Sequence, residues 1–373
     1  MESRMNRFIP TRHFALRWTL TCVGVLLSTV ARAGTCSYNA GNPYGNGPAN
    51  LVAPLNINAL TVGRDVPDGT VLYRQTVAAM SPRIDCSGAN ETITINYSMP
   101  ATPLPLSAWN GNPYPGRVYQ TGVPGIGVAI WFAGNAFPYA RTLNNSGATV
   151  TNWTAAPNFD VSLIKIGPVS PGIIRAASLP SFQLNWTMDN VVTLLRGNFS
   201  GNINIVSQTC TTPDVNVDMG QHQTKAFSGA GSATPWKDFS IRLQNCPAFY
   251  GSSSFVTNND SATGWNSTIS TNPNTLGFSL QPTTTIVDPA QGIVALKQTT
   301  SGPAAATGVG LQMANASNQP VSFNTTMPSG ITPTATPGAN YSIPLRARYI
   351  QTGSAAPTPG PADTSVMFTI NYQ

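Results

Sequence analysis

The stretch Val366-Met367-Phe368-Thr369-Ile370-Asn371-Tyr372-Gln373 constrains this chain more than any other. Val366, Phe368, Ile370 and Tyr372 alternate with Met367, Thr369 and Asn371. A period of two places the four bulky side chains on one face of a β-strand, and that face needs a core beneath it. The strand runs to Gln373, so the terminus is expected to be built into a sheet rather than to fray. A terminal strand also has an edge, and an edge is a place where another chain can pair.

Other short runs repeat the pattern. Thr92–Tyr97, Gly127–Phe132, Phe182–Trp186 and Ile203–Val206 read as strands, and turn clusters such as Asn110-Gly111-Asn112-Pro113 and Asn144-Asn145-Ser146-Gly147 separate them. No segment beyond the first 33 residues reads as a helix. Charged residues are only 9% of the chain, where about a quarter is usual, but the apolar share is 41%. The combination predicts an all-β protein of two β-sandwich domains with many turns.

Residues 1–33 read as a signal peptide. Arg4, Arg7, Arg12 and Arg17 form a basic start, Trp18–Val30 a short apolar run, and Ala31-Arg32-Ala33 a cleavage site. The apolar run is too short to span a membrane. Five of the 19 Lys and Arg residues and one of the 13 acidic residues lie in this segment, leaving 14 against 12 in the mature chain. A surplus of two removes the dense basic face that nucleic-acid binding needs.

Four cysteines remain after Cys22 is set aside: Cys36, Cys86, Cys210 and Cys246. Four cysteines allow three pairings. The nearest-neighbour choice, Cys36–Cys86 with Cys210–Cys246, gives each half its own bridge and suits an exported protein. Each bridge would be worth roughly 3–4 kcal/mol by chain entropy. The expected division is therefore residues 34–206 and 207–373.

The second half resembles the pilus subunits of the chaperone–usher class. Cys210 is followed by Val215, Val217 and Gly220; the alternating Phe239, Ile241 and Leu243 end at Cys246; Gly308-Val309-Gly310-Leu311-Gln312 looks like a glycine-started pilin strand; Pro344–Gly353 looks like the penultimate strand; and the terminal strand carries the penultimate Tyr372. The resemblance implies an incomplete immunoglobulin-like sandwich in which Val366, Phe368, Ile370 and Tyr372 line a groove for a donor strand. It implies a periplasmic chaperone, an outer-membrane usher and the donor strand of an adjacent pilus subunit as partners. The early Cys36 leaves no donor segment of its own before it, and a further domain precedes the pilin-like half. That layout is similar to a two-domain tip adhesin, exported through the periplasm to the fimbrial tip, whose residues 34–206 bind a host glycan or glycoprotein. The alternatives are a structural tip or initiator subunit that binds nothing, and an adhesin for a protein receptor.

Two regions are candidates for the ligand. In mannose-binding members the pocket uses the mature N-terminal residue, an acidic pair after the second cysteine and a late polar loop. Here these map to Gly34, Ser87–Asn90 and Pro168–Ser181, which offer Asn90, Arg175 and Ser178 but no acidic pair, so mannose is not implied. The second region is Ser107–Arg117, where Trp109 and Tyr114 sit among turn formers and Asn110, Asn112 and Arg117 supply donors. Trp109 and Tyr114 either cap the core or face a ligand, whereas Trp131 and Trp186 lie in strand patterns and read as core. No catalytic set emerges. The mature chain has one histidine, His222, and one glutamate, Glu91, and paired cysteines leave none for a metal. The chain reads as a non-enzyme without a cofactor.

Overall fold

The computed structural model describes residues 34–88, 92–144, 150–154, 158–260, 264–298 and 300–373. The signal segment and Asn90 lie outside them. Among the described residues the regular structure is all β, with two single-turn 3₁₀ segments.

The first half contributes β1 (Cys36–Tyr38), β2 (Ala49–Pro54), β3 (Ala59–Thr61), β4 (Val71–Ala79), β5 (Arg83–Cys86), β6 (Thr92–Ser98), β7 (Tyr119–Gln120) and β8 (Ile126–Phe132). It continues with β9 (Asn135–Ala136), β10 (Tyr139–Asn144), β11 (Val150–Thr154), β12 (Phe159–Lys165), β13 (Gly172–Arg175), β14 (Phe182–Thr187), β15 (Val191–Ser200) and β16 (Asn202–Val206). The second half holds β17 (Lys237–Cys246), β18 (Ser252–Asp260), β19 (Gly264–Asn272), β20 (Leu276–Pro282) and β21 (Ile286–Asp288). It ends with β22 (Ile293–Ala295), β23 (Val309–Asn315), β24 (Thr326–Pro328), β25 (Ala339–Gln351) and β26 (Val366–Tyr372).

Alternation builds the layers. In β6, Ile93, Ile95 and Tyr97 are buried while the residues between them are not; in β14, Phe182, Leu184 and Trp186 do the same. Their sheet, ordered β10-β6-β14-β15-β2, faces a second one that contains β4, β12 and β8. Between them lies a core drawn from residues 36–205 and Phe255, with Trp186, Tyr73 and Phe182 among its largest buried side chains. A separate core draws on residues 210–372, between the sheet β17-β25-β23-β22-β21 and the sheet β24-β20-β26. The disulfides close as Cys36–Cys86, an opposed pair on β1 and β5, and Cys210–Cys246.

One element crosses between the halves. The hairpin β18–β19 belongs to the second half by sequence, yet β18 pairs in parallel with β4 from Ser253 opposite Tyr73 to Asn259 opposite Ala79. The first half's second sheet is thus ordered β19-β18-β4-β12-β8-β7. Phe255 enters the first core with 2% exposure, its ring centroid 5.4 Å from that of Tyr73. Beside it the Thr257 hydroxyl accepts hydrogen bonds from the Asn56 amide at 2.6 Å and the Gln75 amide at 3.1 Å. A boundary at 206–207 would leave the first half's second sheet without two of its strands.

Truncating a buried aromatic costs about 3–5 kcal/mol through lost transfer energy and the cavity left behind. Phe255→Ala in the mature chain is expected to lower the unfolding free energy of the first half by that amount. Fluorescence of the Trp153–Trp186 pair, with ring centroids 4.0 Å apart in that core, reports it.

Candidate functional site

The terminal strand β26 pairs antiparallel with β20 on one side and, among the described residues, with no strand on the other. Gln373 and Thr275 exchange two backbone hydrogen bonds at 2.7 and 3.0 Å, so the odd-numbered residues of β26 face β20. The N–H and C=O groups of Val366, Phe368, Ile370 and Tyr372 consequently point to the open edge. Their side chains point to the second core. Ile370 and Tyr372 are buried there, while Val366 and Phe368 are only partly covered.

The open edge is blocked at one end by the first half. The Asp65 amide donates to the Tyr372 carbonyl at 3.2 Å, and the Tyr372 amide donates to the Asp65 carboxylate at 3.0 Å. The Arg64 guanidinium donates to the Ile370 carbonyl at 2.8 Å while forking onto Asp65. Gly63 is the residue that permits this approach, since a Cβ there would overlap the Tyr372 carbonyl. Tyr372 is also held from within: the Cys210 amide donates to its hydroxyl at 3.1 Å, and its ring stacks on Phe249. Among the described residues nothing bonds the outward backbone groups of Val366 and Phe368.

Burial pulls the Asp65 carboxyl upward, but the hydrogen bonds from Arg64 and the Tyr372 amide and the nearby positive charges outweigh it, leaving the group below the ordinary carboxylate range. A lowered folded-state pKa contributes stability above the unfolded value and loses it as pH falls through the folded value. The Tyr372 amide resonance is expected to titrate with a midpoint below that of a free aspartate, about 3.9, and Asp65→Asn is expected to abolish the titration.

The loop from Ser107 to Val118 is closed at its base by the Ser107 amide and hydroxyl, which both donate to the Val118 carbonyl. Such closed loops are packed by their own side chains. The Trp109 indole donates to the Pro113 carbonyl at 3.1 Å, and Gly111 lies against the indole ring where a Cβ would overlap it. Trp109 and Tyr114 pack with Ile166 against Val118, Ala129 and Ile164, a small cluster on the outer face of β8 and β12. Burial pushes the Tyr114 phenol up to about 12, so it stays neutral. Its ring lies 5.5 Å from that of Trp131, which in turn carries Arg74 at 4.6 Å over its face.

Trp109, Asn110, Asn112, Tyr114 and Arg117 thus share one loop, with Asn110, Asn112 and Arg117 exposed. Trp109 borders a cavity of about 480 Å³, whose walls include Ser107, Gln120, Val123, Ile126 and Ile166. Arg175 and Ser178 do not reach it: Arg175 ends β13 opposite Asn202, and Ser178 lies in the following 3₁₀ turn. Gly34 and Ser87 lie elsewhere, joined through Thr35, whose carbonyl accepts the Ser87 amide. Trp186 is core as expected, but Trp131 lies on the outward face of its strand, half-exposed, with its indole donating to Ser162 at 3.0 Å. Arg74 and Asp160, which frame Trp131, were not legible in sequence because they meet only across the β4–β12 pairing.

Residues 198–373 match the family model described as fimbrial protein. The match spans the whole second half, hereafter the fimbrial domain. Proteins of this family are structural and non-enzymatic. No curated protein sequence matches the chain. Among solved structures, it is similar to the receptor binding domain of the adhesin MrkD1P of Klebsiella pneumoniae, at 21% identity over 48% of this chain and 98% of that one, with a TM-score of 0.32. It is also similar to the CupB6 tip adhesin of Pseudomonas aeruginosa, at 18% identity over 91% and 95%, with a TM-score of 0.34. A third is the CsuC–CsuE chaperone–tip adhesion subunit complex of Acinetobacter baumannii, at 11% identity over 90% and 100%, with a TM-score of 0.23.

Removing the Tyr372 hydroxyl leaves the buried Cys210 amide without its acceptor, which costs about 1–3 kcal/mol. Tyr372→Phe is expected to lower the stability of the fimbrial domain by that amount in urea denaturation.

Proposed function

We propose that this chain is a fimbrial tip adhesin. The fimbrial domain accepts a donor strand at the open edge of β26, first from a periplasmic chaperone delivering it to an outer-membrane usher and then from the adjacent pilus subunit. The first half binds a host surface ligand, a glycan or glycoprotein, outside the cell. The observation that carries the reading is the edge of β26. Unsatisfied backbone groups beside half-covered Val366 and Phe368 are what an added strand would pair with and cover, through main-chain hydrogen bonds and apolar side chains. A sandwich with its own core and disulfide, carried on such a domain, supports an adhesive role rather than a purely structural one.

The cavity beside Trp109 is the favoured ligand site. An indole edge, an apolar floor and the Ser107 and Gln120 side chains suit a sugar ring, which offers an apolar face and peripheral hydroxyls. Among the described residues no charged side chain lines it, which favours a neutral sugar over an anionic one.

The test uses the mature chain, residues 34–373, because the hairpin β18–β19 is part of the first half's sheet. Supplied with a donor peptide, it is screened on neutral, sialylated and sulfated glycans. The expected result is binding to a neutral glycan that free sugar competes away and that Trp109→Ala weakens about tenfold, or ~1.4 kcal/mol. Binding that no sugar displaces would indicate a protein receptor, and the absence of binding by the folded chain would indicate an initiator subunit.

A further inference from the structure

The block at the end of the β26 edge has a consequence for any strand that pairs there. Ile370 and Tyr372 face the same edge as Val366 and Phe368, but the Ile370 carbonyl and both Tyr372 backbone groups are taken by Arg64 and Asp65. Those two residues belong to the first half, whereas the edge belongs to the fimbrial domain. We propose that the loop Gly63-Arg64-Asp65 is a stop that fixes the register of the incoming strand, limiting its pairing to Val366 and Phe368. The proposal rests on the strand-acceptor reading above and concerns how far that pairing extends.

Three features make the loop a stop rather than a loose cover. The Asp65–Tyr372 contact runs in both directions, amide to carbonyl and amide to side-chain carboxylate, so both Tyr372 groups that an adjoining strand would need are already taken. Gly63 brings the loop backbone against Tyr372 with no space between them. Gly63 and Arg64 also border a cavity of about 750 Å³, together with Asp68, Lys165, Pro168 and Val169. The charged groups of Arg64, Asp68 and Lys165 on its wall suit a polar end of the incoming strand. The partner that fits is therefore a segment of another subunit with a short apolar alternation opposite Val366 and Phe368, changing to polar residues where it meets Arg64.

Hydrogen exchange at single amides of the mature chain tests this, with a synthetic peptide of alternating valine and threonine as the probe. In the native chain the peptide is expected to slow exchange at Phe368 about tenfold or more, while Tyr372 and Asp65, already bonded to each other, are unchanged. In Arg64→Ala/Asp65→Ala, Tyr372 is expected to exchange fast alone and to become protected when peptide is added, because the strand now runs further. Asp65→Asn, which keeps the side-chain size, is expected to give an intermediate result and guards against misfolding of the double variant. If the peptide protects Phe368 but deprotects Asp65 in the native chain, the loop is displaced and the stop is refuted while the acceptor reading stands. If Phe368 remains fast in every chain, both fall.

Discussion

Tyr372 is the point on which the two halves of this molecule depend. Its ring lies in the fimbrial core against Phe249, its hydroxyl accepts the amide of Cys210, and its backbone is bonded to Asp65. One residue thus joins the last strand, the first cysteine of the fimbrial domain and the first half. Each contact satisfies a group that burial would otherwise leave unpaired, so the strand cannot leave its place without stranding several polar groups at once. Nearby, the Thr61 hydroxyl donates to the Ala248 carbonyl at 2.8 Å and accepts the Tyr250 amide at 2.9 Å, extending the same join.

The second join is β18. It pairs in parallel with β4, and each strand begins just after a glycine, β4 after Gly69 and β18 after Gly251. Gly251 takes φ 74° at the start of the hairpin, and a side chain there would meet the Asn272 carbonyl, so the turn into β18 is made by a residue without a Cβ. The exchange works in both directions: the second half lends a hairpin to the first half's sheet, and the first half lends Arg64 and Asp65 to the second half's edge. Open strand edges are a hazard to any β-protein, and here each half covers part of the other's. What remains open on β26 is the stretch at Val366 and Phe368.

Much of this was readable from residue order. Thr92–Tyr97, Phe182–Trp186 and the terminal alternation fall within observed strands because a period of two matches one buried face, and Gly127–Phe132 does so as a run buried on both faces. The hairpin β18–β19 was not readable. Ser252-Ser253-Ser254 and Asn258-Asn259-Asp260 have the composition of turns, and what makes them strands is a partner nearly two hundred residues away, as Asn259 opposite Ala79 shows. The loop at Ser107–Arg117 was readable as a turn-rich segment carrying aromatics. That Trp109 borders a cavity while Tyr114 packs on Trp131 depends on Gly122–Ile126 and β12, which sequence spacing does not bring together.

The sequence by itself determined the all-β class, the alternation that builds each core and the terminal strand with an edge, because these depend on local periodicity and side-chain type. Only the tertiary structure decided which edge stays open, which residues of the first half close the rest of it, and whose sheet the hairpin joins. Those outcomes depend on backbone groups meeting across long separations, and backbone hydrogen-bonding groups are the same in every residue but proline, so the residue order carries little record of them.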